Sequence, residues 1–315
     1  MASWALIALA ALAAAQASDK RGLCFTPNPE FPSDNHIWDA PGSRLSWYYN
    51  YGPSPSPAYV DRPQDEFEFI PMMWGVGPNP DDTNFLDTVR GLIDSGTEIR
   101  HVLGFNEPNG QFDTGGSEIA PAVAARAWVA NFEPLGRMGV KLGLPACTGA
   151  PDGLVWLKDF LGNCSEIVST GSETRNCTWD FLPVHWYDNF EGLASHIGER
   201  LATWPGSEIW VTEYAYAHRD LAETQAFFHQ TLDWFDREDF IGKYTYFGAF
   251  RSATANVGVN AAFLNNDGEL TDIGAEYVGE EPRGILPDTG KASGHTVSVV
   301  VMGMSLVASV ILVSV

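Results

Sequence analysis

The chain has 315 residues, of which 40 are acidic and 18 are basic, so its formal net charge is −22 at pH 7. This acidity excludes nucleic acid as a partner, because binding to phosphates requires a basic surface, and it suits a neutral or cationic ligand. The hydrophobic content of 45% allows one large domain in the size class of α/β barrels.

Residues 1–17 predict a secretory signal peptide. Ala5 to Ala15 form an apolar stretch, and Ala15-Gln16-Ala17 is a small-x-small cleavage sequence. The remaining chain is therefore expected to enter an oxidising compartment, in which cysteines can pair.

Eight apolar runs predict β-strands, and helical periodicity separates most of them. The runs are nearly continuous rather than alternating, which is typical of parallel strands covered on both faces. This repetition favours a single-domain (β/α)8 TIM barrel over residues 22–278; a doubly wound open sheet is the alternative, but no glycine-rich phosphate loop follows the first strand. The connections after the first and second strands show little helix signal. The predicted strands cover 22–25, 46–51, 68–75, 101–105, 141–146, 181–187, 208–214 and 244–250, and the predicted helices cover 85–93, 119–138, 154–161, 192–204, 221–235 and 273–278.

The four cysteines allow three pairings. Cys164 and Cys177 flank a polar loop and are the expected disulfide. Cys24 and Cys147 belong to strands on opposite sides of the expected barrel, which argues against a bond between them, and they are interpreted as buried thiols.

Two N-glycosylation sequences fall in the same polar segment. They are Asn163-Cys164-Ser165 and Asn176-Cys177-Thr178. Their proximity predicts one exposed loop that carries glycans at Asn163 and Asn176.

The C-terminus predicts a glycosylphosphatidylinositol (GPI) attachment signal. Residues 279–294 form a linker that ends in a small, polar stretch. Residues 295–315 form a hydrophobic segment, in which Thr296 to Val315 carry no charge. This order of segments is typical of a GPI signal, with Gly290 or Ser293 as the attachment residue. A plain C-terminal membrane helix is the alternative. Either kind of anchor would hold the folded domain at the cell surface.

Two glutamates stand at the ends of predicted strands. The fourth strand ends in Asn106-Glu107-Pro108, and the seventh ends in Thr212-Glu213-Tyr214. An ionised glutamate is seldom buried without a partner, and the carboxyl ends of barrel strands form one active-site mouth. Carboxyl groups about 5–5.5 Å apart are what a retaining glycosidase requires as acid/base and nucleophile.

Neighbouring side chains could support such a pair. Asn106 could bond the sugar 2-hydroxyl, and Tyr214 or Tyr246 could donate to the nucleophile and keep it ionised. His185 lies on the sixth strand and could orient the acid/base or the sugar, or could be a structural histidine. Glu68 and other carboxylates in polar segments are expected to be solvated. No metal-ligand spacing or phosphate loop is present in the sequence, so no metal or cofactor is expected.

The chain resembles the fungal glycoside hydrolase family 128, the β-1,3-glucanases of the retaining TIM-barrel clan. The resemblance covers roughly residues 22–278 and implies that Glu107 is the acid/base and Glu213 the nucleophile. It also implies that Trp47, Trp74, Trp186 and Phe247 form glucan subsites. The stretches that carry it are 20–23, 46–50, 69–75, 103–109, 185–188 and 210–215.

The function expected from these features is that of a retaining endo-β-1,3-glucanase acting on cell-wall glucan. A glucan transglycosylase and a non-catalytic glucan-binding surface protein are the alternatives. The candidate substrate-binding residues are Asn106, Trp47, Trp74, His185, Trp186, Tyr187, Tyr214, Tyr246 and Phe247.

Overall fold

Within residues 19–288, the part of the chain that the computed structural model describes, eight parallel strands form two sheets. The predicted signal peptide, the GPI attachment residues and the apolar tail lie outside these residues. The first sheet has the order β1-β2-β3 and the second β4-β5-β6-β7-β8. The strands are β1 Gly22–Cys24, β2 Trp47–Tyr49, β3 Glu68–Phe69, β4 His101–Leu103, β5 Lys141–Gly143, β6 Phe181–Trp186, β7 Glu208–Tyr214 and β8 Ile241–Tyr246.

The two sheets adjoin at both of their ends. Parallel bridges link Met72 to Leu103 on one side and Arg21 to Tyr244 on the other. The strand order is sequential throughout, whereas a doubly wound sheet reverses its order at a switch point. The chain is therefore an α/β domain with a curled parallel sheet.

Helices follow most strands, as the repetition predicts. Between β1 and β2 there is one short 3₁₀ helix, Pro32–His36, and the described chain between β2 and β3 has no helix. No helix within residues 19–288 is both long enough and apolar enough to cross a membrane. The α-helices are α1 Asn84–Asp94, α2 Pro121–Arg137, α3 Asp152–Val168, α4 Phe190–Thr203, α5 Leu221–Arg237 and α6 Asp272–Val278.

Several element boundaries differ from the prediction. Strand β3 ends at Phe69 and strand β5 at Gly143, before the predicted ends at residues 75 and 146. Helix α3 continues to Val168 instead of ending near residue 161, because Cys164 in its added turns is buried and bonded to Cys177. Strand β8 begins at Ile241 and ends at Tyr246, three to four residues before the predicted range. Its polar Lys243 breaks the apolar run but pairs with a buried carboxylate, so the strand continues through it.

The disulfide Cys164–Cys177 is the pairing expected from the sequence, and Cys24 and Cys147 are buried and unpaired as expected. The single glycosylated loop is not observed. Asn176 lies in an exposed loop, but Asn163 lies inside α3 and its Nδ2 donates to the Asp159 carbonyl at 2.7 Å.

The inner face of the curled sheet holds its own apolar cluster. Trp210 stacks on Phe181 with ring centroids 3.9 Å apart and packs against Trp47 at 5.5 Å. Trp47 is fully buried and its Nε1 donates to the Lys20 carbonyl. The assignment of Trp47 to a glucan subsite is therefore wrong, because its ring lies at the amino-terminal end of β2, inside the core.

Glu68 is buried beside this cluster rather than solvated, so that expectation is also wrong. Its carboxylate contacts His101 Nδ1 at 2.7 Å and Lys243 Nζ at 3.5 Å. Burial alone would raise the pKa of Glu68, but the hydrogen bond and charge of His101, with the charge of Lys243, bring the pKa below its usual value. The partners make this buried charge tolerable.

Candidate active site

Glu107 and Glu213 meet at one mouth of the sheet. Glu213 lies near the end of β7, and Glu107 follows β4 by four residues. One oxygen of each carboxylate and Nδ1 of His185 all lie within 4.8 Å of one another. The two acids are thus on the same face of the molecule and close enough to act on a single bond.

Glu213 is held by two tyrosine hydroxyls, one on each oxygen. Tyr51 donates to Oε1 at 2.8 Å, and Tyr187 donates to Oε2 at 2.5 Å. The Tyr49 hydroxyl lies 3.3 Å from Oε1 and donates to the Thr212 carbonyl at 2.9 Å. Hydrogen bonds donated by two hydroxyls stabilise the charged carboxylate, so these tyrosines favour the ionised form of Glu213.

His185 bridges the two acids. Its Nδ1 lies 3.0 Å from Glu107 Oε1 and 3.5 Å from Glu213 Oε2, and its Nε2 lies 3.1 Å from the Thr212 hydroxyl. The network fits an imidazole that donates from Nδ1 to Glu107 and accepts from Thr212 at Nε2; this tautomer is assigned from the bonding partners. Burial alone would lower the pKa of His185, but the Glu213 and Glu107 carboxylates raise it above its usual value.

Opposing effects act on the charge of Glu213. Burial raises its pKa, and the nearby Glu107 carboxylate adds to the rise, whereas His185, Tyr187 and Tyr51 lower it. The net pKa of Glu213 is raised. The charge of His185 and the hydroxyls of Tyr187 and Tyr51 therefore offset part of the effect of burial on the Glu213 carboxylate.

Two residues of the site have backbone angles that side chains other than glycine rarely adopt. The φ angle is 61° at Tyr51 and 43° at Glu107. Backbone bonds hold Glu107 in this conformation: its N–H donates to Ala146 at 2.7 Å, and its carbonyl accepts from Gly110 at 2.8 Å. Strain of this kind is found at sites where side-chain direction matters more than local stability.

Four of the other predicted residues lie at or beside this mouth. His185 and Tyr187 contact the carboxylates directly, and Phe247 packs edge-on against Tyr187 with centroids 5.7 Å apart. Asn106 is buried; its Nδ2 donates to the Gly115 carbonyl at 3.0 Å, and its Oδ1 has no hydrogen-bond partner within the described chain.

The tyrosines predicted to support the nucleophile do not reach it. Tyr214 and Tyr246 are fully buried and pack against each other with centroids 5.1 Å apart, and their other ring contacts include Phe227 and Phe228 of α5. Successive side chains of a strand point to opposite faces, and these two point toward the helices. The roles assigned to Tyr214 and Tyr246 are therefore wrong.

Trp186 also turns away from the carboxylates. Its ring lies against His196 of α4 with centroids 5.3 Å apart, and its Nε1 donates to the Asn189 carbonyl. It lies between His185 and Tyr187, both of which face inward, so alternation places it on the helix side. The assignment of Trp186 to a glucan subsite is not supported by this position.

Tyr49 and Tyr51 are site residues that were not predicted from the sequence. Trp47, Tyr49 and Tyr51 alternate along one face of β2 and its extension, so that Trp47 lies deep in the core and Tyr51 reaches the mouth. The alternation of aromatic residues at every second position of this strand was the sequence pattern that could have identified them.

Two clusters have the spacing of metal ligands among the described residues. One is the site trio of Glu107, His185 and Glu213, and the other combines Glu133 with Cys164 and Cys177. The two cysteines are joined in the disulfide and cannot act as thiolate ligands.

Most of the chain matches a family of known proteins. The family model described as "Glycosyl hydrolase catalytic core" matches residues 22–277. Alkali-sensitive linkage protein 1 of Schizosaccharomyces pombe is 29% identical over 271 residues, which cover 83% of this chain and 44% of that protein. The chain thus spans less than half the length of this curated relative.

Similar solved structures belong to glycoside hydrolase family 128. A subgroup II endo-β-1,3-glucanase from Sorangium cellulosum is 26% identical, and a subgroup III curdlan-specific exo-β-1,3-glucanase from Blastomyces gilchristii is 25% identical. Each has a TM-score of 0.63 and covers 84% of this chain and 99% of its own. A subgroup VII oligosaccharide-binding protein from Cryptococcus neoformans, 23% identical, shares the fold with a TM-score of 0.59 and coverage of 83% and 93%.

Proposed function

The chain belongs to the glycosyl hydrolase catalytic core family, and on this premise we propose that it is a retaining endo-β-1,3-glucanase that hydrolyses cell-wall β-1,3-glucan. The observation that carries the proposal is the pairing of Glu107 with Glu213, whose oxygens lie within 4.8 Å across one mouth. This separation fits the double-displacement mechanism better than the inverting one, which needs about 6.5–9.5 Å to admit a water.

In the first step, ionised Glu213 attacks the anomeric carbon of the glucan. The glycosidic bond breaks as Glu107 donates its proton to the leaving oxygen, and a glycosyl-enzyme ester forms on Glu213. Tyr51 and Tyr187 hold the attacking carboxylate in place.

In the second step, Glu107, now ionised, removes a proton from a water molecule, which attacks the anomeric carbon. The ester bond breaks, and Glu213 leaves as a carboxylate. The bond from His185 to Glu107 Oε1 keeps this carboxyl group oriented in both steps. The unpartnered Oδ1 of buried Asn106 supports its proposed bond to a sugar hydroxyl.

We also propose that the eight strands form a closed (β/α)8 barrel. The bridges Arg21–Tyr244 and Met72–Leu103 support closure at the two places where the sheets adjoin. A crystal structure in which β8 is not hydrogen-bonded to the segment before β1 would contradict closure.

The test of the function is incubation of the purified domain with β-1,3-, β-1,4- and mixed-linkage glucans, followed by sizing of the products. We expect oligosaccharides of several lengths from the β-1,3-glucan alone. Release of one small product only would indicate exo action. Products longer than the substrate would indicate a transglycosylase, and binding to laminarin without turnover at any pH would indicate a glucan-binding protein.

Tyr187→Phe is expected to lower kcat roughly tenfold or more and to shift the acid limb of the kcat/KM profile to higher pH. The hydroxyl of Tyr187 lowers the pKa of Glu213, so its loss raises that pKa, and a higher pH is needed to ionise the nucleophile. The measurement is a pH–rate profile on laminari-oligosaccharides.

The control for this variant is Tyr216→Phe, whose ring packs against Phe227 of α5. It should leave the profile in place. An unchanged acid limb in Tyr187→Phe would show that its hydroxyl does not act on the charge of Glu213.

We propose that the protein is secreted, carries a glycan on Asn176 and is held at the cell surface by a GPI anchor. Support comes from the predicted signal peptide, the order of segments at the C-terminus and the exposed loop position of Asn176. Treatment of intact cells with a phosphatidylinositol-specific phospholipase C should release the protein into the medium. Retention after treatment would favour a membrane helix.

A further inference from the structure

Phe112 is an aromatic side chain left exposed beside the active-site mouth. It lies in the short 3₁₀ helix Phe112–Thr114 between β4 and α2, and 54% of its surface is exposed. Its ring meets the half-buried Trp74, which follows β3, edge-on with centroids 5.9 Å apart. We call this pair, Trp74 and Phe112, the aromatic step.

Asn106, the residue that precedes Glu107, is bonded to Trp74 and to the loop that carries Phe112. The N–H of Asn106 donates to the Trp74 carbonyl at 2.9 Å. The side chain of Asn106 donates to Gly115, which follows the Phe112 helix, at 3.0 Å, and its carbonyl accepts from Ser117 at 3.0 Å. The step is therefore positioned by the same backbone that positions Glu107.

The loop that carries Phe112 is tightly closed. A Cβ atom on Gly116 would lie 2.5 Å from the carbonyl of Gly110, so only glycine permits the two ends of the loop to come this close. The backbone N–H of Phe112 donates to the Glu118 carboxylate at 3.3 Å, and Glu118 itself has a φ of 48°. Core packing does not explain this strained loop, because the phenyl ring that it presents is exposed and contributes nothing to the core.

We propose that the aromatic step binds the glucosyl unit on the leaving-group side of the scissile bond, an inference that rests on the proposed function. The apolar C–H face of a glucosyl ring covers an aromatic surface of this kind and removes it from water. Glu107 touches the leaving oxygen in the proposed mechanism, and the step is attached to Glu107's own strand end. The aromatic pair Tyr187 and Phe247 lies instead beside Glu213, which bonds the other half of the substrate.

The test measures the activity of the Phe112→Ala variant and of the wild type on two substrates. A laminari-oligosaccharide places a glucosyl unit on the leaving-group side, whereas a nitrophenyl β-laminaribioside of the same glycone does not. We expect the ratio of kcat/KM for the oligosaccharide to kcat/KM for the aryl glycoside to fall about fivefold, the loss expected when roughly half of the burial of a phenyl ring is forfeited.

Two variants serve as controls. Phe112→Tyr keeps the ring and should restore the wild-type ratio. Val155→Ala removes an exposed apolar side chain on α3, 58% exposed, and should leave the ratio unchanged.

An equal fall on both substrates would place the step on the glycone side, and an unchanged ratio would show that Phe112 contacts no sugar; either result overturns the inference. Absence of turnover by the wild type on both substrates would refute the proposed function itself, which distinguishes the two failures.

Discussion

Glu213→Gln is expected to reduce glucan hydrolysis by roughly 10⁴- to 10⁶-fold, the loss typical of removing a covalent nucleophile. The amide has the shape of the carboxylate, and its oxygen still accepts a hydrogen bond from Tyr51, but it carries no charge and cannot attack the anomeric carbon. Because the sugar-binding side chains are unchanged, affinity for laminari-oligosaccharides should stay close to that of the wild type. Release of reducing ends measures the loss, and calorimetry measures the binding.

Glu166→Gln is the matched control for this variant. Glu166 is exposed on α3, so the same change of charge should leave both turnover and binding unaffected. Full activity of Glu213→Gln would remove Glu213 from the mechanism. Loss of binding together with turnover would indicate that the carboxylate holds the sugar rather than attacking it.

Glu107→Gln is expected to lose about 10²- to 10⁴-fold in kcat/KM on glucan, because the leaving alkoxide then departs without a proton. An aryl glycoside with a nitrophenol leaving group needs no proton donor, so formation of the glycosyl-enzyme from it should be far less impaired. The glycosyl-enzyme should then accumulate, since the base for the second step is also missing, and an added small anion such as azide should speed turnover.

The pH profile offers a second readout for Glu107→Gln. The Glu107 carboxylate raises the pKa of Glu213, so its removal lowers that pKa and moves the acid limb to lower pH. Equal losses on glucan and on the aryl glycoside, with no effect of azide, would argue against a proton-transfer role; Glu166→Gln again controls for the change of charge.

The identity of the two acids could be predicted because each follows a strong local pattern. The predicted seventh strand, 208–214, has the same bounds as β7, and Glu213 lies at its penultimate position. Glu107 is marked by the proline that follows it, since proline ends strand pairing and the chain must turn there. Patterns of this kind extend over only a few neighbouring residues, so they can be recognised without knowing which distant residues are in contact.

The aromatic residues could not be assigned in this way. Trp47 and Tyr51 are both aromatic and belong to one run, yet one lies in the core and the other bonds the nucleophile. Tyr214 is adjacent to Glu213 in sequence but lies on the helix side of the sheet, whereas Tyr187, from another strand, reaches the carboxylate. Adjacency along a strand was misleading, because neighbouring side chains point to opposite faces.

Local sequence patterns were sufficient to predict the parallel α/β architecture, the pairing of Cys164 with Cys177 and the two glutamates at strand ends, because each follows from the order of apolar, polar and cysteine residues. The hydroxyls that hold Glu213 and the position of His185 between both acids could be identified only from the folded chain. These bonds join residues far apart in the chain, 162 positions in the case of Tyr51 and Glu213. Such partners are selected by the curl and register of the sheet, which places one face of each strand at a common mouth.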